Sequence, residues 1–291
     1  MSKIRIVTDS NSGILQSQAK EFGIYVIPMP FTINGEEYLE EITISQEEFY
    51  NHLASGADVK TSQPSQYYLE ELWDQELNEY DEILYIPMSS GLSATCKNAK
   101  NYAEKYQGKV QVVDNLGISV TQKESVFRAI ELVKQGKNAK EIKELLEQSK
   151  KVASIYITMG VLKYLKKGGR ITPAAALLGD LLKLKPILSS RGGSFEKFAV
   201  AMSMIQAKKK ILQQIKKELE TEFLQEYEQG NICVSVAHTQ YEQEAQKFKE
   251  EIQKEFPNLE FHFVDPLALS VSCHIGPGAL AVAICKKQSS C

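Results

Sequence analysis

Four residues with hydroxyl side chains fall together within residues 88–95, and this clustering makes them the strongest candidates for a functional site in the chain. They are Ser89, Ser90, Ser93 and Thr95. An apolar run at 81–87 precedes them and predicts a buried strand, and residues 96–107 have the composition of a helix. A tight turn between a strand and a helix gathers hydroxyls and backbone N–H groups at the positive end of the helix dipole. The pattern predicts an anion site; its simpler interpretation is that one serine caps the helix.

Further polar residues follow other strands of the first half. Thr8, Asp9 and Ser10 form the polar end of the strand predicted at 3–8, and Asp114 follows the strand at 110–113. Alternating strands and helices predict an α/β domain on a mostly parallel sheet, whose ligands bind beyond the carboxyl ends of the strands. Any one of these groups is equally explained by a turn or a helix cap. Together they favour a site at one edge of the sheet, which the polar loop at 60–65 would also reach.

Periodicity and capping signals predict the remaining elements. Asn34-Gly35 between apolar flanks predicts a hairpin, and Ser45 with Glu48 forms a capping box. Strands are predicted at 24–27, 152–158, 185–188, 195–202, 232–237, 259–264 and 281–285. Helices are predicted at 14–22, 45–55, 65–78, 119–135, 139–150, 174–182, 208–227 and 242–256. The fold class is α/β with two domains: an N-terminal, mostly parallel three-layer domain at 1–160 and a C-terminal mixed α/β domain at 161–291.

Composition and missing motifs exclude several classes of protein. A net charge of -3 argues against nucleic-acid binding and against electrostatic attachment to a membrane. The chain enters its first strand at once, so we expect no signal peptide. The apolar stretch at 174–182, which is either core or the wall of an apolar cavity, is too short and too interrupted to span a bilayer. Five cysteines without a CxxC pair predict reduced thiols in a cytoplasmic protein. The chain has no P-loop, GxGxxG or HExxH motif, so we expect neither a metal nor a cofactor.

Two residues of the second half, Arg170 and His274, lie beside glycine and proline residues that restrict the backbone. Arg170 lies between Gly168-Gly169 and the helix start Thr172-Pro173. An isolated arginine is usually solvated, and the glycine pair makes a fixed direction toward an anion or a partner the competing interpretation. His274 precedes Gly276-Pro277-Gly278, whose restricted backbone would hold the imidazole in place. We therefore expect a site role for His274.

Five segments, taken in order, resemble the DegV family, the fatty-acid-binding subunits of bacterial fatty acid kinase. They are residues 8–10, 61–65, 89–93 with Thr95, 164–171 and 274–279. The resemblance covers nearly the whole chain and implies a two-domain α/β fold that encloses an acyl chain between the domains. Three positions depart from the family pattern, namely Ala94, Asn115 and Cys273, and they affect the shape of the pocket more than its basic role.

The resemblance also implies roles for individual residues. The groups expected at the carboxylate of a long-chain fatty acid are Thr61, Ser62, Gly91, Ser93 and His274. Thr61 and Ser93 would hold it directly, with help from backbone N–H groups of the turn. Arg170 would lie near the head group and the surface that meets the catalytic subunit of the fatty acid kinase. That subunit, and not this chain, would bind ATP and magnesium and phosphorylate the carboxyl group. The expected partners are the fatty acid, the kinase subunit and, for lipid exchange, a transient membrane contact.

Two other functions compete with this one. A serine acyl hydrolase is suggested by residues 91–95, which approach a nucleophile elbow around Ser93, followed by Asp265 and His274 in the order such enzymes use. Against it, Thr95 stands where the second glycine belongs, and Asp265 and His274 lie very close in sequence for separate arms of a triad. A sugar-phosphate or nucleotide-binding protein would need the glycine-rich loop that the chain lacks. The function predicted is fatty acid binding without catalysis.

Overall fold

The computed structural model describes residues 2–178 and 184–287. One compact unit comprises the residues up to Lys150 together with Ala268–Ser270, and the other comprises Lys151–Leu267 and the residues from Val271 onward. The strands are β1 (Ile4–Asp9), β2 (Tyr25–Ile27), β3 (Pro30–Ile33), β4 (Glu36–Leu39), β5 (Val59–Thr61), β6 (Glu82–Ile86), β7 (Val110–Val112), β8 (Ala153–Thr158), β9 (Lys185–Ser190), β10 (Glu196–Ala201), β11 (Ile232–His238), β12 (Glu260–Pro266) and β13 (Leu280–Lys286).

The helices are α1 (Gln16–Phe22), α2 (Gln46–Ala54), α3 (Gln66–Glu76), α4 (Thr95–Ala103), α5 (Val120–Lys134), α6 (Ala139–Gln148), α7 (Lys163–Gly168), α8 (Pro173–Ala176), α9 (Met204–Glu220), α10 (Leu224–Glu228), α11 (Glu242–Glu255) and α12 (Leu269–Ile275). Among the residues that the structure describes, no helix is both long enough and apolar enough to cross a membrane.

The first unit is built on a parallel sheet of order β2-β1-β6-β7. Its strands read as apolar runs because helices cover both faces of the sheet. Leu84 and Ile86 of β6 pack in the cluster with α1, α5 and α6. Ile83 and Tyr85, which point to the opposite face, pack in the cluster with α3 and α4. The predicted three-layer arrangement is therefore confirmed, and β1, β6 and β7 all end at the same edge.

A small antiparallel sheet of order β4-β3-β5 belongs to the same unit. Its hairpin turns at Asn34 and Gly35, both with positive φ, as predicted. The prediction that residues 60–65 are entirely loop was wrong at their start, because Thr61 ends β5 and lies opposite Phe31. A three-residue strand with little apolar content gives no local signal, since only its pairing with β3 makes it a strand.

The second unit is built on a mixed sheet of order β10-β9-β8-β13-β11-β12. Strand β8 pairs with β9 and β13, so the prediction that it closes the first half was wrong. The apolar pattern of β8 identifies a buried strand but carries no information about its partners. The division between the units consequently falls after Lys150, earlier than the boundary expected near Gly160.

The two faces of the central strands β11 and β13 differ in the size of their side chains. On one face, Val234, Val236, Val282 and Ile284 pack with α9 and α11 in the main cluster of the unit. On the other face, β11 and β13 place small residues opposite each other in register. These pairs are Cys233 with Cys285, Ser235 with Ala283, and Ala237 with Ala281.

Three predicted helices need comment. The helix expected at 208–227 is interrupted, and forms α9 and α10. Of the helix expected at 174–182, residues 173–176 form α8, and residues 179–182 lie outside the described part of the chain. Helix α12 was not predicted, because its seven residues lie between a proline and a Gly-Pro-Gly segment that favour irregular backbone.

Candidate functional site

The serine turn, residues 87–94, leaves β6 at the edge where the parallel strands end. Gly91 N donates to Ser89 Oγ at 3.1 Å. Leu92 N and Ser93 N both donate to Ser89 O, also at 3.1 Å. The N–H groups expected to help hold an anion thus already have acceptors within the turn, and an anion would have to replace these bonds. The side-chain hydroxyls become the main candidates for contact with a ligand.

Ser93 and Thr95 form a pair of hydroxyls at the start of α4. Their oxygens are 2.9 Å apart, and Thr95 N donates to Ser93 Oγ at 3.2 Å. Ala94, which stands at the N-cap position, offers no side-chain cap. Ser93 therefore takes over part of the capping role, and the same bonds fix the direction of its hydroxyl. Ser93 is half-buried and Thr95 is buried, so the pair is only partly exposed to solvent.

Asp9 anchors the serine turn from the end of β1. Met88 N donates to Asp9 Oδ2 at 3.0 Å. Asp9 Oδ1 accepts hydrogen bonds from Asn11 N, Asn11 Nδ2 and Gln122 Nε2. Complete burial raises the pKa of Asp9, while the N–H groups of Met88, Gln122 and Asn11 oppose this shift. With N–H donors on both oxygens, the Asp9 carboxylate positions the turn and is not a ligand group.

Gln122 on α5 completes this anchor, and sequence analysis did not identify it. Its Nε2 also lies 3.1 Å from Thr8 Oγ1 and from Ile86 O, so one amide joins the ends of β1 and β6. Gln122 is fully buried. Gln122 lies in the first turn of α5, where nothing local indicates this role, and its partner Asp9 is 113 positions away in the chain. Only the tertiary structure brings the two together.

The loop after β7 holds the other side of the turn. Ser89 N donates to Gly117 O at 2.8 Å, and Ser90 N donates to Asp114 Oδ1 at 3.4 Å. Two non-glycine residues of this loop, Leu116 and Ser119, have positive φ values of 61° and 52°. Such backbone strain persists only where surrounding contacts fix it, and it is common at functional sites. Asp114 therefore lies at the predicted edge, as a support for the serine turn.

Thr61 and Ser62 are supported by a connection to α4. Thr61 is half-buried at the end of β5, and Ser62 is exposed with its N–H donated to Pro30 O at 3.1 Å. The next residue, Gln63, accepts a hydrogen bond from Asn98 Nδ2 at 3.0 Å. Since Asn98 lies one turn into α4, the loop after β5 is held against the helix that begins at Thr95.

Arg170 and His274 lie near each other in the second unit. Gly168, the last residue of α7, packs so closely on the His274 ring that a Cβ added there would collide with Nδ1. Gly276 contacts the Tyr164 ring in the same way. Arg170 Nη1 donates to Gly168 O. Gly168 and Gly276 are therefore required by close packing, which the sequence signalled only as restricted backbone.

Burial, and then the charge of Arg170, lower the pKa of His274 to about 4. The imidazole is therefore neutral near pH 7, and the positive charge of this cluster belongs to Arg170. A neutral imidazole can donate one hydrogen bond and accept another, but it gives a carboxylate no charge partner. His274 and Arg170 thus offer different interactions to an anionic head group.

The geometry gives no support to a serine hydrolase. A nucleophile elbow places its serine on a strained turn, yet Ser93 is not among the residues with positive φ. The charge of Asp265 acts on His238, whose pKa burial lowers overall. The charge that acts on His274 is that of Arg170. Asp265 and His274 therefore do not behave as neighbouring members of a triad.

A parallel sheet covered on both faces, a hydroxyl-bearing turn at the carboxyl ends of its strands, and a second unit with a mixed sheet define a two-unit α/β protein whose polar residues gather at one edge of the parallel sheet. The chain belongs to the DegV family: the family model, described as an uncharacterised protein of the DegV family, matches residues 3–287. A DegV domain-containing protein of Staphylococcus aureus is 32% identical over 289 residues, which cover 99% of this chain and 100% of that protein.

Two solved structures share the fold. One is a DegV family protein from Thermus thermophilus described for its fatty acid binding; it is 28% identical, with a TM-score of 0.88, and the match covers 98% of this chain and 99% of that one. The other is DegV from Bacillus subtilis, described as a fatty acid binding protein; it is 28% identical, with a TM-score of 0.84, and the match covers 99% and 100% of the two chains. The predicted α/β class and the resemblance to DegV are thereby confirmed.

Proposed function

We propose that this chain binds a long-chain fatty acid and presents its carboxylate to a separate ATP-dependent kinase subunit for acyl-phosphate formation. The observation that carries the proposal is the Ser93–Thr95 hydroxyl pair, held 2.9 Å apart on a turn that residues distant in the sequence anchor. Relatives from Thermus thermophilus and Bacillus subtilis that match nearly the whole chain are described as binding fatty acids. In this proposal Thr61 and Ser93 contact the carboxylate, and Ser62 and Gly91 lie beside them.

The acyl chain and the carboxylate of such a ligand contribute differently to its binding free energy. A chain of about fifteen methylenes, at roughly 0.8 kcal/mol each, gains on the order of 12 kcal/mol on leaving water. A hydrogen bond to a charged head group contributes about 1.5–3 kcal/mol. The acyl chain therefore dominates affinity, while the hydroxyls offset desolvation of the carboxylate and fix its position.

The proposed phosphorylation of the carboxylate by a kinase subunit rests on the hydroxyl donors that the serine turn provides. Hydroxyl donors hold a carboxylate through single hydrogen bonds and leave one oxygen able to attack a phosphoryl group. A bidentate arginine pair would occupy both oxygens. In this proposal Arg170 and His274 lie near the head group and the surface that meets the kinase subunit. ATP and magnesium bind to the kinase subunit, and a transient membrane contact serves lipid exchange.

The experiment that tests fatty acid binding is native mass spectrometry of the protein purified without detergent, followed by solvent extraction and identification of the lipid. We expect one fatty acid per chain. A protein that is empty, and that stays empty after incubation with palmitate, would contradict the proposal. Labelling of Ser93 by a fluorophosphonate probe would instead support the hydrolase.

A substitution at the turn tests the role of the hydroxyl pair. Ser93→Ala removes the oxygen that Thr95 N and Thr95 Oγ1 contact, and we expect palmitate affinity to fall about tenfold, the equivalent of roughly 1.4 kcal/mol. The matched control is Ser90→Ala, since Ser90 is exposed on the same turn. Equal palmitate retention by the two variants, with unchanged acyl-phosphate formation when a kinase subunit is added, would remove Ser93 from the site.

A further inference from the structure

Cys233 and Cys285 are a pair of thiols on neighbouring strands of the second unit. They stand directly opposite each other in the register of β11 and β13, and their Sγ atoms are 3.7 Å apart. Residues directly opposite in an antiparallel pair have Cα atoms about 4.5–5.5 Å apart, which lies within the roughly 4.4–6.8 Å that disulfides require. A bond between the two sulfurs therefore needs only side-chain rotation and a small closing movement.

A histidine lies beside this pair. One ring nitrogen of His262 is within 4.8 Å of Cys233 Sγ. His262 Nε2 is 3.0 Å from Glu260 Oε1, and a carboxylate in that position stabilises the charge of an imidazolium. A side-chain rotation that brings the two groups to hydrogen-bond distance would let His262 take a proton from Cys233. Thiolates and not thiols are the reactive nucleophiles, so such a neighbour matters for sulfur chemistry.

The accessibility of the two thiols differs. Cys233 is fully buried, whereas Cys285 is partly exposed. Cys96 in the first unit provides a contrast, because burial raises its pKa to about 12 and its Sγ lies 3.7 Å from the carbonyl of Val113. Cys96 therefore stays protonated and has the environment of a structural cysteine. A reagent from solution would reach Cys285 first.

We infer that Cys233 and Cys285 form a modification site, at which hydrogen peroxide oxidises the pair to a reversible cross-strand disulfide. The Cys285 sulfur attacks the peroxide O–O bond and becomes a sulfenic acid, and the first water leaves. Cys233 then gives its proton to His262 and attacks the sulfenic sulfur. The S–S bond forms, the hydroxide leaves, and it takes the proton from His262 as the second water. The two thiols lose two electrons in total, and the peroxide gains them.

The experiment treats the folded, reduced protein with hydrogen peroxide, then denatures it in N-ethylmaleimide and analyses the intact chain and its peptides by mass spectrometry. The variant Cys291→Ser is used throughout, so that the terminal thiol cannot enter other linkages. We expect a loss of two hydrogen atoms, two fewer alkylated thiols, and a peptide in which Cys233 is linked to Cys285. Dithiothreitol should restore both thiols.

Two variants sharpen the test. In Cys285→Ser, Cys233 should stay fully alkylatable after peroxide, because the buried thiol has lost its oxidised partner. In His262→Asn, we expect the same disulfide to form more slowly, by roughly tenfold. Alkylation of both cysteines after peroxide, over-oxidation of Cys285 without a link, or linkage of either to Cys96 or Cys273 would overturn the inference. None of these outcomes depends on fatty acid binding.

Discussion

The serine turn of the first unit and the Arg170–His274 cluster of the second are positioned by different means. The turn is held by hydrogen bonds that Met88 N donates to Asp9 Oδ2 and Ser89 N donates to Gly117 O. In the cluster, Arg170 donates a hydrogen bond to Gly168 O, and the His274 ring is held by close packing against that glycine. The serine turn should therefore tolerate a substitution that changes side-chain shape better than one that removes a hydrogen-bonding group. The Arg170–His274 cluster should tolerate a change of side-chain polarity better than the addition of one methyl group.

The largest effect is expected from adding that methyl group at Gly168. In Gly168→Ala the new Cβ would collide with His274 Nδ1, so the ring must move or α7 must separate from α12. Overpacking of this kind costs about 1–3 kcal/mol of unfolding free energy. Thermal unfolding would measure that loss, and the NMR signals of the His274 ring would report its displacement.

The control for this change is Gly193→Ala, because a Cβ at Gly193 meets no atom within 4 Å. It should leave both the unfolding temperature and the His274 signals close to those of the original chain. If Gly168→Ala behaved like this control, close packing would not be what positions His274.

A smaller effect is expected when Asp9 is replaced by asparagine. The side-chain shape is kept, but one acceptor oxygen becomes an N–H₂ group facing donors from Met88, Asn11 or Gln122. A buried polar group left without a hydrogen-bond partner lowers the free energy of unfolding by about 1–3 kcal/mol. Because the serine turn loses its anchor, the ratio of palmitate to hexadecanol affinity should also fall, whereas a general loss of stability would weaken both ligands together.

Asp114→Asn is the matched control, since it makes the same change of charge at a more exposed carboxylate at the same edge. It meets the turn through the 3.4 Å bond from Ser90 N. We expect the palmitate to hexadecanol ratio to stay near its original value. An equal fall in both variants would assign the effect to charge and not to the anchor.

The smallest effect is expected from Arg170→Gln, which changes polarity in the cluster held by packing. The charge of Arg170 is the second cause, after burial, of the low pKa of His274, so this pKa should rise from about 4 but remain below its ordinary value. Titration of the His274 ring by NMR measures the change. Arg191→Gln removes an equal charge elsewhere in the second unit and should leave the His274 pKa unchanged.

The effect of this change on stability has a definite sign. A histidine with a lowered pKa in the folded state stabilises the fold above its unfolded pKa, roughly 6.5, and this contribution is lost as the pH falls toward about 4. In Arg170→Gln the two pKa values are closer, so less stability should be lost over that range. A steeper acid loss than in the original chain would contradict this assignment.

The chain illustrates which parts of a site local patterns can indicate. The hairpin at Asn34-Gly35 and the cap at Ser45 depend on neighbours within a few positions, and the structure has both where they were predicted. The local hydroxyl pattern likewise marked the position of the serine turn, although residues distant in the sequence anchor it. The pairing of β8 with β9 and β13, and the strand β5, depend on distant partners. Sequence analysis missed them for that reason.

By itself the sequence determined the α/β class, most elements, the edge at which polar residues gather, and the DegV resemblance that the comparisons confirmed. Tertiary structure alone decided that Gln122 and Asp9 anchor the serine turn, that glycine packs on His274, and that Cys233 faces Cys285. The physical reason is the range of the interactions involved. Caps, turns and periodicity arise between residues close in the chain, whereas buried hydrogen bonds and close packing join residues that the completed fold brings together.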